Sequence, residues 1–456
     1  MRLRELTDLA ATVVELIGNA EPSADVEVTI DRTEQALTRF ANSVIHQNVA
    51  DESAGIRLRL HLDGRTITLS SSTASTGDEL AGFVDRALHT VRSGPPDPGW
   101  PGVAPASALP PPGNAPLVGA AAERAAVVRA FVDAAGGLET AGYCRTTRSE
   151  RGFANSAGHA AVAAFGSSAF DGIARRDESD GVARVETDTI GEIDGHSLGA
   201  RATAKAIASA NAVELPADRY PVLLEPTAVA DLVSMLVVYG FNGKAVTQRQ
   251  SFAEVGTAQF DASITLVDDA PSLGITFDAD GTPTSRRVLV DAGTTAAVTH
   301  DRRTAAESST FSTGHSLGGG SSGGVALHAG ISPVTSAGPV PDDIPELVDP
   351  AAGSLLASID RAILVSDLWY TRVLDPKSLV VTGLTRNGVW LIENGEITTP
   401  VKNFRFTQAY PAALAPGAVH QVGPIAVGSP EGWIPARWTV PALHLASWNF
   451  TGGASG

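Results

Sequence analysis

Residues 220 to 251 read Tyr-Pro-Val-Leu-Leu-Glu-Pro-Thr-Ala-Val-Ala-Asp-Leu-Val-Ser-Met-Leu-Val-Val-Tyr-Gly-Phe-Asn-Gly-Lys-Ala-Val-Thr-Gln-Arg-Gln-Ser. Tyr220 to Leu224 is a short apolar run. Pro226 suits the first turn of a helix, and Val229, Leu232, Val233, Leu236 and Val237 recur at helical spacing. The stretch predicts a strand that turns directly into a helix and then into a glycine-bearing turn. Such corners often hold chemistry, yet this one offers no histidine, no cysteine and a single ionisable group at the junction, Glu225.

Downstream of the corner, strand patterns predominate, with hairpin turns expected at Asp280-Gly281 and Asn394-Gly395. Upstream, Leu3, Leu6, Leu9, Val13 and Leu16 mark an amphipathic helix. Period-two patterning follows at Val26, Val28 and Ile30, at Ile56, Leu58 and Leu60, and at Ile67 and Leu69, with Asp63-Gly64 as a hairpin turn. Thr76 and Glu79 form a capping box for a helix with the stripe Leu80, Phe83, Val84, Leu88 and Val91. A second round of helix, strands and helix is expected from about Val118 to Ala212, its first helix stopping at Gly136-Gly137. Residues 93 to 116 are too rich in proline to extend a helix or a central strand and read as a stiff connector. The expected organisation is therefore an α+β unit over 1–92, a linker over 93–116, a second α+β unit over 117–213 and a β-rich domain over 214–456. The fold class is α+β, with an N-terminal helix and antiparallel-sheet region followed by the β-rich C-terminal domain.

With 456 residues the chain can bury several cores. Its formal net charge of -17 and lack of clustered Lys and Arg argue against a nucleic-acid partner. The single cysteine, Cys144, excludes an intramolecular disulfide framework and fits a reducing compartment; it reads as buried packing. No apolar stretch approaches the length of a membrane span, and the N-terminus does not read as a cleavable leader. The expectation is a cytoplasmic protein without membrane contact.

Gly-His-Ser-Leu-Gly occurs at 195 to 199 and at 314 to 318, matching the nucleophile elbow of serine hydrolases. Ser197 lacks the apolar strand that should precede an elbow, and Ser316 lacks the helix that should follow, so a serine hydrolase is the weaker reading. No two histidines lie three to five residues apart, so no metal site is expected in this chain. Asp268-Asp269 before Pro271, and Asp278 with Asp280 and Gly281, read as turn residues rather than cation ligands. Arg32, Arg39, His46 and Gln47 read as an exposed sheet face.

Several segments in order resemble the TldD/PmbA family, also called modulators of DNA gyrase, and specifically its PmbA (TldE) branch. They are residues 37 to 48 (Leu-Thr-Arg-Phe-Ala-Asn-Ser-Val-Ile-His-Gln-Asn), 152 to 158 (Gly-Phe-Ala-Asn-Ser-Ala-Gly), Val222 to Glu225, Asp268-Asp269 with Pro271, Asp278 to Thr284, Ser312-Thr313-Gly314-His315, and Leu391 to Ile397 with Pro400-Val401-Lys402. The resemblance implies a subunit of a heteromeric cytosolic zinc metalloprotease that degrades or processes unfolded or leader peptides. In the TldD-type subunit the strand-to-helix corner carries H-E-x-x-x-H, which binds zinc and supplies a general base. Laid on this chain, that motif puts Glu225 and Ala230 at the two histidines and Pro226 at the glutamate. The implied chain has no catalytic residues and no metal of its own. Zinc belongs to a TldD-type H-E-x-x-x-H partner, and Phe241, Asn242, Gly243, Lys244 and His315 are candidates for lining the peptide groove. A non-enzymatic module, homomeric or partner-binding, that kept the fold is the alternative.

Overall fold

The computed structural model describes residues 3–72, 77–111, 113, 115–318, 323–334, 344–430 and 436–453. Helix α1 (Leu3–Ala20) buries Leu6, Ala10, Val13 and Ile17 along one stripe. It lies on a meander of β1 (Asp25–Ala41), β2 (Val44–Leu62) and β3 (Arg65–Ser71), and α2 (Gly77–Ser93) joins the same core through Leu80, Phe83, Val84 and Val91. The β2–β3 turn has φ of 50° at Asp63 and 72° at Gly64, the left-handed pair that matches strand twist. Thr76, the expected cap of α2, lies outside the described residues.

The second round is α3 (Ala121–Ala134), β4 (Glu139–Asn155), β5 (Ala160–Arg176), β6 (Ser179–Thr187) and α4 (Gly195–Ala208). Gly136 and Gly137 follow α3 with positive φ, as expected of a helix stop. Strands β4 and β5 run much longer than the alternation at Tyr143 to Thr147 and His159 to Phe165 suggests. Residues such as Ala161, Ala163 and Ala164 are buried although they do not point to one face, which blurs period-two patterning. Strand β1 pairs antiparallel with β4 from Glu27↔Asn155 to Phe40↔Gly142, giving the order β3-β2-β1-β4-β5-β6. The two rounds thus meet edge to edge, β1 against β4, in the middle of one antiparallel sheet. Gly152 permits this arrangement, since a Cβ there would fall 2.6 Å from the backbone of Leu6 in α1. Cys144 is buried in the second core, and burial pushes its thiol up to about 12. Arg39, His46 and Gln47 are exposed, whereas Arg32 is partly covered and ion-paired with Glu52 and Glu34.

The connector is docked over Trp100 to Ala104. The Trp100 indole donates to Asp25 at 2.6 Å and stacks on His61; Asn155 donates to the Ala104 carbonyl; the Arg302 guanidinium spans the carbonyls of Pro101, Gly102 and Val103. Proline leaves these carbonyls without local N–H partners, and arginine's fan of donors serves several at once.

The C-terminal region contains β7 (Arg219–Leu224), α5 (Pro226–Met235), β8 (Leu266–Asp268), β9 (Arg287–Asp291), β10 (Thr294–Thr295) and β11 (His328–Ile331). It continues with β12 (Arg361–Asp375), β13 (Val380–Glu393), β14 (Glu396–Pro400), β15 (Phe404–Ala409), β16 (Val419–Ser429) and β17 (Arg437–Gly453). Hydrogen bonding runs from β7 to β12, β13, β15 and β17 and back to β7, so these five strands close on themselves. Leu224, Val365, Val381, Phe406, Leu443 and Trp448 from this ring belong to the largest apolar core. One bridge, Gly428↔Glu186, joins this region to the N-terminal sheet.

Two expectations are corrected. Four short helices accompany α5, namely α6 (Gly243–Thr247), α7 (Arg302–Glu307), α8 (Pro350–Leu356) and α9 (Tyr410–Ala413); none is long enough for its periodicity to register. Asn394-Gly395 does turn β13 into β14, but Asp280-Gly281 is not a strand hairpin. Its flanks form only the isolated bridge Phe277↔Pro283, and the turn is held by the Asp278 carboxylate, which accepts from the N–H groups of Asp280 and Thr282 at 2.9 Å each. No helix among the described residues is long and apolar enough to cross a membrane.

That turn docks on the first meander. Arg59 donates to Glu27 at 2.7 Å and reaches Asp280 at 2.9 Å, and all three side chains are nearly buried. Burial pushes the Glu27 carboxyl up to about 7, against the pull of Arg59, and Asp280 adds to the rise. Burial, and then Asp280, raise Asp278 as well. A carboxyl raised in the folded state holds a proton that the unfolded chain has already released. Glu27's stabilising contribution is therefore complete below its unfolded value of 4.5 and is lost as pH rises through about 7. Denaturation midpoints measured from pH 5 to 8 are expected to fall, and Glu27→Gln is expected to flatten that slope; an equally steep slope in the variant would show that Glu27 is not its source.

Candidate functional site

At the corner, β7 delivers Glu225 to the N-terminus of α5 with φ of −70° and ψ of 162°, and Pro226 occupies the first helical position. Proline costs nothing there, because its missing N–H would have no intrahelical acceptor. Backbone N–H groups of Ala228 and Val229 bond the Glu225 carbonyl, and the Glu225 N–H bonds Val365 of β12. The local fold follows the sequence. The side chains do not follow any pattern visible along it.

The Glu225 carboxylate does not cap its own helix. One oxygen takes the Lys205 ammonium of α4 at 2.5 Å, and the other accepts the Asp349 N–H at 2.8 Å; Lys205 and Glu225 are each about 3% exposed. Asp349 caps α8 by accepting from Ala351, and its other oxygen takes Arg201 at 2.6 Å. Arg201 and Lys205 stand four apart on α4, so one helix face presents two cations to two carboxylates of the C-terminal region. This spacing is the one sequence signal that could have exposed the network, although it names neither partner.

The corner residues do not fit a zinc ion. Glu225 is already engaged by an ammonium and a backbone donor, Pro226 has no proton-accepting atom, and Ala230 places a methyl group in the apolar core. Among the described residues no group of three or more His, Cys, Asp and Glu is arranged to hold a metal.

Of the five groove candidates, only Lys244 is partly exposed. Phe241 is fully buried and packs edge-on against Phe252. Asn242 caps α6 by accepting from Lys244 N–H at 2.9 Å. Gly243 donates its N–H to the Thr299 carbonyl at 2.7 Å, and a Cβ there would strike the His300 ring at 2.3 Å. His315 is fully buried, with Nδ1 at 2.8 Å from the Thr313 hydroxyl and Nε2 at 3.0 Å from Asp268. Asp268 also accepts from Leu327 and His328 N–H groups. Burial opposes its charge, but His315 and those two donors win and hold the carboxyl below its usual range. His315, 47 residues from Asp268 along the chain, thus anchors the Ser312 to Ser316 segment onto β8 rather than facing open space.

The two elbow-like serines are engaged locally. Ser197 donates its hydroxyl to Asp194, the cap of α4, at 2.5 Å, and the Ser316 hydroxyl accepts from Gly318 N–H at 3.1 Å. Among the described residues neither hydroxyl has a histidine partner to activate it.

Residues 217–451 match the PmbA/TldA metallopeptidase C-terminal domain, and residues 26–90 match the PmbA/TldA metallopeptidase domain 1. Comparison with curated proteins gives no match. Among solved structures, TldE from Thermococcus kodakarensis superposes with a TM-score of 0.82 at 17% identity, covering 99% of this chain and 100% of that one. A protein described as a modulator of a DNA gyrase from Thermotoga maritima gives 0.78 at 15% identity, covering 99% and 100%. One similarly described from Bacteroides thetaiotaomicron gives 0.80 at 16%, covering 98% of each chain. These structural likenesses show a shared fold over the full length.

Removing one member of a buried ion pair leaves the other charged and unsatisfied, at a cost of about 3–5 kcal/mol. Glu225→Ala is expected to lose stability on that scale by guanidinium unfolding. Combining Glu225→Gln, which keeps an acceptor for Asp349 N–H, with Lys205→Met is expected to recover most of the loss. A double variant as unstable as Glu225→Ala would show that the pair's charge is not what matters.

Proposed function

The chain belongs to the TldD/PmbA metallopeptidase family, and from that premise we propose that it is the non-catalytic PmbA/TldE-type subunit of a heteromeric, cytoplasmic zinc metallopeptidase acting on unfolded or leader peptides. One observation carries the reading. The Glu225 carboxylate neutralises Lys205 at the corner onto which the resemblance lays the H-E-x-x-x-H motif of a TldD-type subunit, with Glu225 and Pro226 in place of its first histidine and its glutamate. A zinc-bound water needs imidazole or carboxylate donors left free for the metal and a base beside it. Here the carboxylate is committed and the neighbouring side chains are a pyrrolidine ring and a methyl group. A TldD-type partner would contribute H-E-x-x-x-H and its zinc; this chain would contribute wall and alignment.

Extended peptides are commonly held by pairing with an available strand edge, with side chains near the edge choosing among them. Lys244 is the groove candidate with surface to offer a peptide. Phe241, Asn242, Gly243 and His315 support this role from beneath, by fixing the turn and the segment against which it packs.

The purified chain is expected to leave an unfolded protein substrate intact, whereas an equimolar mixture with a TldD-type subunit should cleave it and lose activity with EDTA. Chelator-sensitive cleavage by this chain alone would overturn the assignment. Lack of association between the two subunits would favour the non-enzymatic module instead.

A further inference from the structure

The antiparallel pair β16–β17 carries two histidines side by side. The register runs Val419↔Leu445 and then Gln421↔His444, so His420 is the extra residue of a bulge and is brought opposite His444 along with Gln421. The two rings are 4.8 Å apart between centroids and inclined by 53°. His420 is exposed, and His444 is 9% exposed. Among the described residues neither ring makes a hydrogen bond. Gln421, the third side chain at the bulge, accepts from the Ser358 hydroxyl at 2.8 Å.

The His444 nitrogens are not among the buried side-chain atoms left without a partner, so they reach solvent and are open to a ligand. Elsewhere in the chain covered histidine rings are held within the fold: His159 bonds the Gly281 carbonyl, His315 bonds Asp268, and the half-buried His328 bonds the Asp269 carbonyl and Thr439. Among the described residues no carboxylate is paired with either ring. Burial, and then the neighbouring His420, push His444 down to about 4, so its ring is neutral and offers a lone pair at physiological pH.

Two imidazoles on one metal stand at predictable spacing. With metal–nitrogen bonds of about 2.0–2.1 Å, each ring centroid lies about 3.2 Å from the ion, and angles between about 90° and 115° separate the centroids by about 4.5–5.4 Å. The observed spacing falls inside that window. We propose that His420 and His444 form a surface site for a divalent transition-metal ion of the imidazole-preferring class, zinc foremost, with water or a partner's side chain completing the shell. It shares no residue with the Glu225 corner and does not depend on the proposed role in proteolysis. Two nitrogen donors and no carboxylate select against magnesium and calcium, which demand oxygen ligands. The chain's net charge of -17 favours a cation at its surface.

The test uses the full chain, stripped of metal and titrated with zinc chloride by calorimetry, with cobalt(II) absorption reporting nitrogen coordination. The expected result is one equivalent bound, with affinity falling at least about tenfold in His420→Ala and in His444→Ala, since even outer-sphere changes weaken metal sites by tenfold or more. His46→Ala, altering an exposed histidine of the first meander, should leave binding unchanged, and magnesium and calcium should not compete. Because His420 is exposed, His420→Ala should retain the native melting temperature without zinc and so separates lost ligation from lost folding. Absence of a bound equivalent in the native chain, or undiminished affinity in His420→Ala, would overturn the proposal.

Discussion

The buried pair between Lys205 and Glu225 ties the second α+β round to the strand-to-helix corner, and much of the architecture turns on it. A charge this deep is tolerated only when matched, because the interior pays back little of the hydration that is lost. The match requires α4, α5 and the start of α8 to sit in one arrangement, since the same carboxylate also receives the Asp349 N–H. The carboxylate at the strand-to-helix corner therefore serves as a joint between elements.

The same device recurs at several contacts between the N-terminal and C-terminal regions. Arg201 takes Asp349; Arg184 takes Asp367, which also accepts from Asn387; Arg59 takes Glu27 and Asp280; Arg437 takes Asp188. Apolar contacts also cross between the regions, with Phe153, Ala161 and Ala163 packing with Phe277, but an apolar joint alone would tolerate sliding. Arginine, with donors in a fixed plane, specifies one orientation. Each of these arginines is matched by at least one carboxylate, so the joints take up basic and acidic groups together.

Much of the architecture was legible along the chain. The first meander, its Asp63-Gly64 turn, the α3 stop at Gly136 and the Asn394-Gly395 hairpin all follow from local conformational preferences, which a few neighbouring residues suffice to express. The long partners β4 and β5 were under-read because burial on both faces removes the alternation that marks a strand. The short helices α6 to α9 were missed for want of turns, and Asp280-Gly281 was misread because a side chain, Asp278, rather than a partner strand, closes that turn.

For the site, the sequence by itself determined what the corner lacks: Glu225, Pro226 and Ala230 cannot reproduce two imidazoles and a base, whatever surrounds them. It also determined the β-rich class and, through ordered segments, the family. Only the tertiary structure decided what these residues do instead. Glu225 meets Lys205 from 20 positions away, His315 meets Asp268 across 47, and His420 meets His444 through a one-residue bulge. Such pairings are set by how separate elements pack and by the need to satisfy buried polar atoms, and neither condition leaves a periodic trace in the order of residues.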